Sequence, residues 1–214
     1  MKLYSYFRSS AAFRVRIALN LKGIAYETVP VHLLKAGGEQ HLEAYRRANP
    51  ASLIPALEDD GRLLTQSLAI IEYLDERHPQ PALLPPDAPA RAYVRAIALS
   101  IACDIHPLNN LRVLRYLVRD MGLSDEKKDA WYRHWVELGL GQLEQSVTAA
   151  GLSGRYALGD RVTMADLAIV PQIFNARRFG CDLSGAATLS AICDRCMELE
   201  AFQRAQPSSQ PDAE

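Results

Sequence analysis

Two adjacent hydroxyls, Ser9 and Ser10, stand where an alternating strand gives way to an amphipathic helix. A serine at such a junction caps the helix, whose first amides have no partner within it, and the helix dipole adds positive potential at the same place. Amides, dipole and two hydroxyls together make a site for an anion, either a thiolate or a carboxylate. For an arbitrary Ser-Ser pair the simpler outcome is that one serine caps and the other faces water. Two further features argue for a ligand. Ile54-Pro55 opens a strand, and an X-Pro bond there can be cis and leave the preceding residue's backbone free to pair with an extended peptide. Gln66-Ser67 opens a helix, where the Ser67 hydroxyl and amide could hold a carboxylate. Three pieces of chain would then grip one small anionic peptide.

The elements that carry these residues follow from pattern. Lys2 to Phe7 is a strand by its β-favouring Leu3, Tyr4 and Tyr6. A helix runs from the serines to about Lys22, with Ala11, Val15, Ala18 and Leu19 on its apolar face and Gly23 placed to end it. A second strand is expected near Ala25 to His32, a flexible loop at Lys35-Ala36-Gly37-Gly38, and a short helix from His41 to Ala48 ended by Asn49-Pro50. Leu53 to Glu58 and Arg62 to Thr65 form a hairpin through Asp59-Asp60-Gly61, and Ser67 caps a helix to about Arg77. The order is β-α-β-α-β-β-α.

Pro79, Pro81, Pro85, Pro86 and Pro89 stiffen the next stretch, which neither helix nor sheet absorbs; Leu83 and Leu84 are expected to pin it to one domain. Everything beyond reads as helix. One helix is expected from about Pro89 to Arg119, kinked at Pro107, and another from Ser124, with Asp125-Glu126 in its first turn, to about Ala150 before Gly151. Thr163 and Asp166 have capping-box spacing, with Val162 and Leu167 as the hydrophobic staple, and read as a folding signal without chemistry. A last helix is expected over about Thr188 to Ala205, followed by a polar tail, Pro207 to Glu214, that frays. The boundaries are 1–80 for a mixed first domain, 81–89 for the linker and 90–214 for a helical second domain.

Composition excludes several roles. With 24 Lys and Arg against 25 Asp and Glu, the chain has no basic excess for a nucleic-acid surface. No run reaches the roughly 18 apolar residues of a membrane span, and the start lacks a signal core, so the cytoplasm is the expected address. The four cysteines, Cys103, Cys181, Cys193 and Cys196, are too few and too clustered for a disulfide scaffold and are expected to be reduced. Cys193-Asp194-Arg195-Cys196 has redox or zinc spacing but no partner motif, so no metal site is expected. The first strand-to-helix junction has no cysteine, which argues against glutaredoxin-like disulfide exchange.

The β-α-β-α-β-β-α order, Ile-Pro before the third strand, Gln-Ser opening the last helix and an all-helical partner resemble the soluble glutathione transferases. The fold this implies is an α+β thioredoxin-like N-terminal domain followed by an all-α C-terminal domain. More narrowly, Ser9-Ser10-Ala11-Ala12-Phe13-Arg14-Val15-Arg16-Ile17-Ala18-Leu19 is similar to the zeta-class signature S-S-C-x-W-R-V-R-I-A-L, with Ala11 in place of its cysteine and Phe13 in place of its tryptophan. Residues 66–74, Pro107 to Leu111, Met164 to Leu167 and Val170 to Gln172 extend the likeness over nearly the whole chain.

The resemblance implies a glutathione-dependent cis-trans isomerase acting on maleylacetoacetate, in tyrosine and phenylalanine breakdown, with maleylpyruvate isomerase as the alternative. A third alternative, a glutathione-fold binding protein without turnover, also stays open, because one fold hosts many roles. In the implied chemistry glutathione thiolate adds to the cis double bond, the new single bond rotates, and elimination returns the cofactor. Ser9 inherits the role on the sulfur, with Ser10 beside it; any contribution from the family's cysteine is absent. Gln40, Ile54 (through its backbone), Gln66, Ser67, His106, Asn110 and Arg112 match cofactor positions. The dianionic substrate calls for cations: Arg8 lies beside the serines, and Arg178 matches the family's carboxylate position, with Arg177 as the competing register. Arg14 and Arg16 are expected to support the fold or bind its neighbours. The resemblance also implies a homodimer.

Overall fold

The computed structural model describes residues 1–214, which divide into two compact units, Met1–Leu83 with Glu198–Glu214, and Leu84–Met197. The second unit therefore stops short of the expected end at 214, because the C-terminal segment packs on the first unit.

In the first unit, strand β1 (Lys2–Ser5) runs parallel to β2 (Glu27–Pro30) and antiparallel to β3 (Ala56–Asp59), which pairs with β4 (Arg62–Thr65), giving the sheet order β2-β1-β3-β4. Helices α1 (Ser10–Leu21), α2 (Glu43–Ala48) and α3 (Ser67–Arg77) complete the β-α-β-α-β-β-α order expected from pattern. Parallel β1 and β2 need a crossover, and α1 supplies it. Its start is set by Ser9, whose Oγ accepts the Ala12 amide at 3.2 Å. Its end is a Schellman turn: Gly23, at φ 62°, donates to Asn20, and Ile24 donates to Leu19. Leu3, Ile17, Leu19, Leu57, Ile70, Ile71 and Leu74 are buried and form the core between sheet and helices.

The proline-rich stretch is fastened to this unit by Lys22. Its ammonium meets the Asp75 carboxylate and the Pro81 carbonyl, both at 2.8 Å, and the His78 carbonyl at 2.6 Å. Leu83 is buried and donates its amide to Asp75, so it is Leu83 that pins the connector here; Leu84 begins the second unit.

The second unit holds α4 (Ala88–Leu99), α5 (Leu111–Arg119), α6 (Asp125–Ala150), α7 (Met164–Arg178) and α8 (Ala187–Cys196). The single kinked helix expected across Pro107 is instead broken. A π-helical turn at Ser100–Ile105 and a 3₁₀ turn at His106–Asn109 separate α4 from α5, and Asn110 restarts the chain as a cap, its Oδ1 accepting the Arg112 amide. Proline removes one backbone donor, and a good cap residue three positions later makes a fresh start cheaper than a bend. Ser124 caps α6 as expected.

At the start of α7, the Thr163 amide and hydroxyl donate to Asp166 Oδ2 at 2.7 and 3.0 Å, and the Ala157 amide donates to Oδ1 at 2.8 Å. Asp166 is fully buried, and burial outweighs these three donors, pushing its carboxyl up to about 6. Nearly the whole of α7 is buried, and it packs against α4 and α8.

The expected last helix is two. Helix α8 ends at Cys196, and α9 (Glu200–Ala205) follows an extended Leu199 and belongs to the first unit, where it packs on α1. The tail expected to fray is held: the Phe7 amide donates to Asp212, and Glu214 pairs with Lys35. These partners are remote in sequence and invisible to local pattern.

Candidate functional site

In the first unit the Ser9 junction is built as a donor array. Ser9 Oγ accepts from the Ala12 amide, so its hydroxyl proton is left for another acceptor at the start of α1, where the helix dipole is positive. Ser9 is partly exposed, whereas Ser10 is 4% exposed and heads the helix. Arg8 is exposed, its guanidinium 4.8 Å from the centroid of the Phe7 ring. Phe13, where the zeta-class signature has tryptophan, is buried with the Arg16 guanidinium 5.4 Å from its centroid.

The N-terminus of a second helix is tied to the body of α1. Arg14, buried on α1, donates from Nη1 to Ser67 Oγ at 3.2 Å. Ser67 is the first residue of α3 and not its cap; that position falls to Gln66, at φ 69° and ψ 116°, which caps with no side-chain bond. A non-glycine residue held at positive φ costs of order 1–3 kcal/mol and turns the chain sharply. Because Arg14 occupies an acceptor lone pair of Ser67, the serine proton is left for another partner.

The Ile54–Pro55 bond is cis and stands immediately ahead of β3. The loop before it is held at Leu53, whose carbonyl accepts from Tyr45 Oη at 2.6 Å and Asn49 Nδ2 at 2.7 Å. Gln40 is 6% exposed; its Nε2 lies 3.1 Å from His41 Nε2, and its Oε1 is buried without a hydrogen-bond partner. Gly38, at φ 116°, makes room for that amide, since a Cβ there would stand 2.6 Å from Gln40 Nε2.

In the second unit, His106 and Asn110 are neighbours, with His106 Nε2 3.4 Å from Asn110 Nδ2, and Arg112 is exposed in the first turn of α5. At the end of α7 the two arginine registers part. Arg177 is committed to Asp194 at 2.6 Å, whereas Arg178 lies over the Phe179 ring at 4.7 Å, and that ring stacks on Tyr132 at 3.9 Å. Cys193 and Cys196 are buried in α8, and burial pushes the Cys193 thiol up to about 12 and raises that of Cys196 as well, which disfavours thiolate.

Residues 3–82 match the family described as Glutathione S-transferase, N-terminal domain. Over 211 residues the chain is 51% identical to a probable maleylacetoacetate isomerase of Vibrio cholerae, covering 99% of this chain and 97% of that protein. The chain belongs to the zeta class of glutathione transferases. Among solved structures, that of a maleylpyruvate isomerase, a bacterial zeta-class glutathione S-transferase, is 45% identical, with a TM-score of 0.96 and all of both chains covered. A maleylacetoacetate isomerase of Methylobacterium extorquens, solved with malonate and glutathione, is 42% identical over all of both chains, with a TM-score of 0.95.

Within this zeta-class chain, the first unit joins α1 to the first residue of α3 through Arg14 and Ser67. Pattern reading left Arg14 and Arg16 as general supports and did not single out Tyr45, Asn49 or Asp212. A basic residue on the buried face of a short amphipathic helix was the available signal for Arg14 and Arg16. For Asp212 there was none, because its partner is 205 residues away in the chain.

Proposed function

We propose that this zeta-class protein is a glutathione-dependent cis-trans isomerase whose substrate is maleylacetoacetate, with maleylpyruvate as the alternative. The observation that carries this reading is a serine hydroxyl at the start of each of α1 and α3, Ser9 accepting from the Ala12 amide and Ser67 from Arg14 of α1, so that each keeps its proton for another acceptor.

Glutathione fits these groups in charge and number. Ser67 and the first amides of α3 suit its α-carboxylate, the orphaned Gln40 Oε1 suits one of its N–H donors, the Ile54 backbone suits its extended peptide, and the α1 N-terminus suits a thiolate. When bound, glutathione supplies a sulfur nucleophile that adds reversibly to a conjugated double bond and is regenerated. Ser9 Oγ donates to the sulfur and, with the α1 dipole, lowers the cost of holding it ionised at neutral pH. Ser10 contributes its helix-opening amide. Ala11 has no thiol, so this chain's contribution at the sulfur rests on hydroxyl, amide and helix field.

We assign one substrate carboxylate to Arg178, because Arg177 is spent on Asp194, and the other to Arg8. His106, Asn110 and Arg112 are assigned to glutathione. The protein is further proposed to act in the cytoplasm as a homodimer; sedimentation at micromolar concentration showing only monomer would reject the latter.

The test is isomerisation of maleylacetoacetate and maleylpyruvate, each with and without glutathione. The expected result is trans product only when glutathione is present, with higher kcat/KM on maleylacetoacetate. A rate unaffected by omitting glutathione, or no product from either acid, rejects the reading; the latter together with glutathione binding would instead favour a non-catalytic binding protein.

A further inference from the structure

The end of the chain reaches back to the Ser9 junction. The Phe7 amide, two residues before Ser9, donates to Asp212 Oδ2 at 3.0 Å. The fully buried Arg16 guanidinium donates to the Ala205 carbonyl at 2.9 Å, to the Phe7 carbonyl at 3.1 Å, to Ser5 Oγ at 3.1 Å and to the Tyr6 carbonyl at 3.4 Å. The Tyr6 carbonyl in turn accepts the Ser9 amide at 2.9 Å. Both peptide groups of Phe7 are thereby fixed, one by the tail directly and one through an arginine that also grips the end of α9.

The same tail also reaches the loop that leads to Gln40. Glu214 pairs with Lys35 and lies 3.5 Å from His32, whose Nδ1 accepts the Leu34 and Lys35 amides. Glu39, next to Gln40, accepts the His32 amide at 2.6 Å.

We propose that the C-terminal segment is a positioning element for the Ser9 junction, and that Asp212 is its decisive positioning residue. Asp212 fixes the Phe7 peptide and so sets where the Ser9 hydroxyl and the first amides of α1 point. Hydrogen-bond donors act on a developing or resting anion only when their geometry is held to fractions of an ångström by surrounding contacts. The proposal rests on the assignment of Ser9 to the glutathione sulfur.

The test follows ionisation of bound glutathione by thiolate absorbance across pH, together with glutathione affinity and melting temperature. Asp212→Ala should raise the apparent pKa of the bound thiol by about half a unit to one unit and lower kcat/KM about tenfold at neutral pH. Asp212→Asn keeps an oxygen acceptor for the Phe7 amide and should restore most of both. Asn20→Ala loosens the same segment elsewhere, by deleting the bond from Asn20 Nδ2 to the Ala201 carbonyl, and should lower the melting temperature without moving the thiol pKa. In the wild-type protein, the Phe7 amide should resist hydrogen exchange as strongly as the amides of α1.

A wild-type thiol pKa in Asp212→Ala, an Asp212→Asn variant as defective as the alanine, a pKa shift in Asn20→Ala, or a freely exchanging Phe7 amide would each overturn the proposal. A wild-type protein that does not ionise glutathione at all would instead reject the assigned function.

Discussion

Replacing Ser9 by alanine removes two things at once, and the structure separates them. The first is the cap: Ser9 Oγ accepts the Ala12 amide at 3.2 Å, and losing a serine cap costs about 1 kcal/mol. For a chain of this size that corresponds to about 2–4 °C in melting temperature. The second is the outward proton, which donates to an anionic sulfur. Hydrogen bonds to charged groups contribute about 1.5–3 kcal/mol, and at 1.36 kcal/mol per unit the bound thiol pKa should rise by about 1–2 units. Ser9→Asp divides the two effects, because aspartate caps as well as serine but brings a negative charge and no proton to the sulfur. The expected outcome is a lowered melting temperature and raised thiol pKa in Ser9→Ala, and a near-native melting temperature with a still higher thiol pKa in Ser9→Asp. Thiolate absorbance titration and a thermal melt on the same samples measure both. A Ser9→Ala variant with the wild-type thiol pKa would refute the role given to the hydroxyl, whatever its stability.

Other outcomes follow from contacts elsewhere. Gly38→Ala places a Cβ against the Gln40 amide and should weaken glutathione binding about two- to tenfold, the value of one hydrogen bond; calorimetric titration showing an unchanged Kd would remove Gln40 from the site. Asp166→Ala strands the Ala157 amide and the Thr163 amide and hydroxyl, and at about 1–3 kcal/mol per buried unpaired group urea unfolding should show a loss of several kcal/mol. The Asp166 carboxyl, raised from 3.8 to about 6 in the folded state, binds its proton before the unfolded chain does. Its contribution to stability is therefore fully present below about pH 4, is lost as pH rises through about 6 and is level above that. Asp166→Asn should lack that component of the slope, and parallel pH profiles for the two proteins would contradict it.

The zeta-class signature, the element order of the first unit and the caps at Ser9 and Ser124 were legible in the residues alone, because each depends on neighbours within a turn or two of chain. The capping-box spacing of Thr163 and Asp166 belongs with them. What pattern could not supply is every feature whose partner is distant. The ion pair that commits Arg177 joins it to Asp194 of α8, 17 residues on, whereas the break at Pro107 is local and turns on Asn110 taking over as a cap where a continuous kinked helix was expected. The C-terminal tail, polar and free of local structure signals, reads as a fraying end by composition. It is ordered by a backbone amide at Phe7 and by Lys35, through single hydrogen bonds and charges that leave no periodic trace.

At the Ser9 junction both kinds of information meet. Serine at the mouth of a helix determines by itself that an anion would be stabilised, since the orphan amides and the dipole come with any helix start. Only the tertiary structure decides that Arg14 of α1 reaches Ser67 at the start of α3, and that residues 205 and 212 hold the Phe7 backbone between them through Arg16 and a direct bond. Local backbone chemistry sets the kind of site; contacts across the fold set its aim.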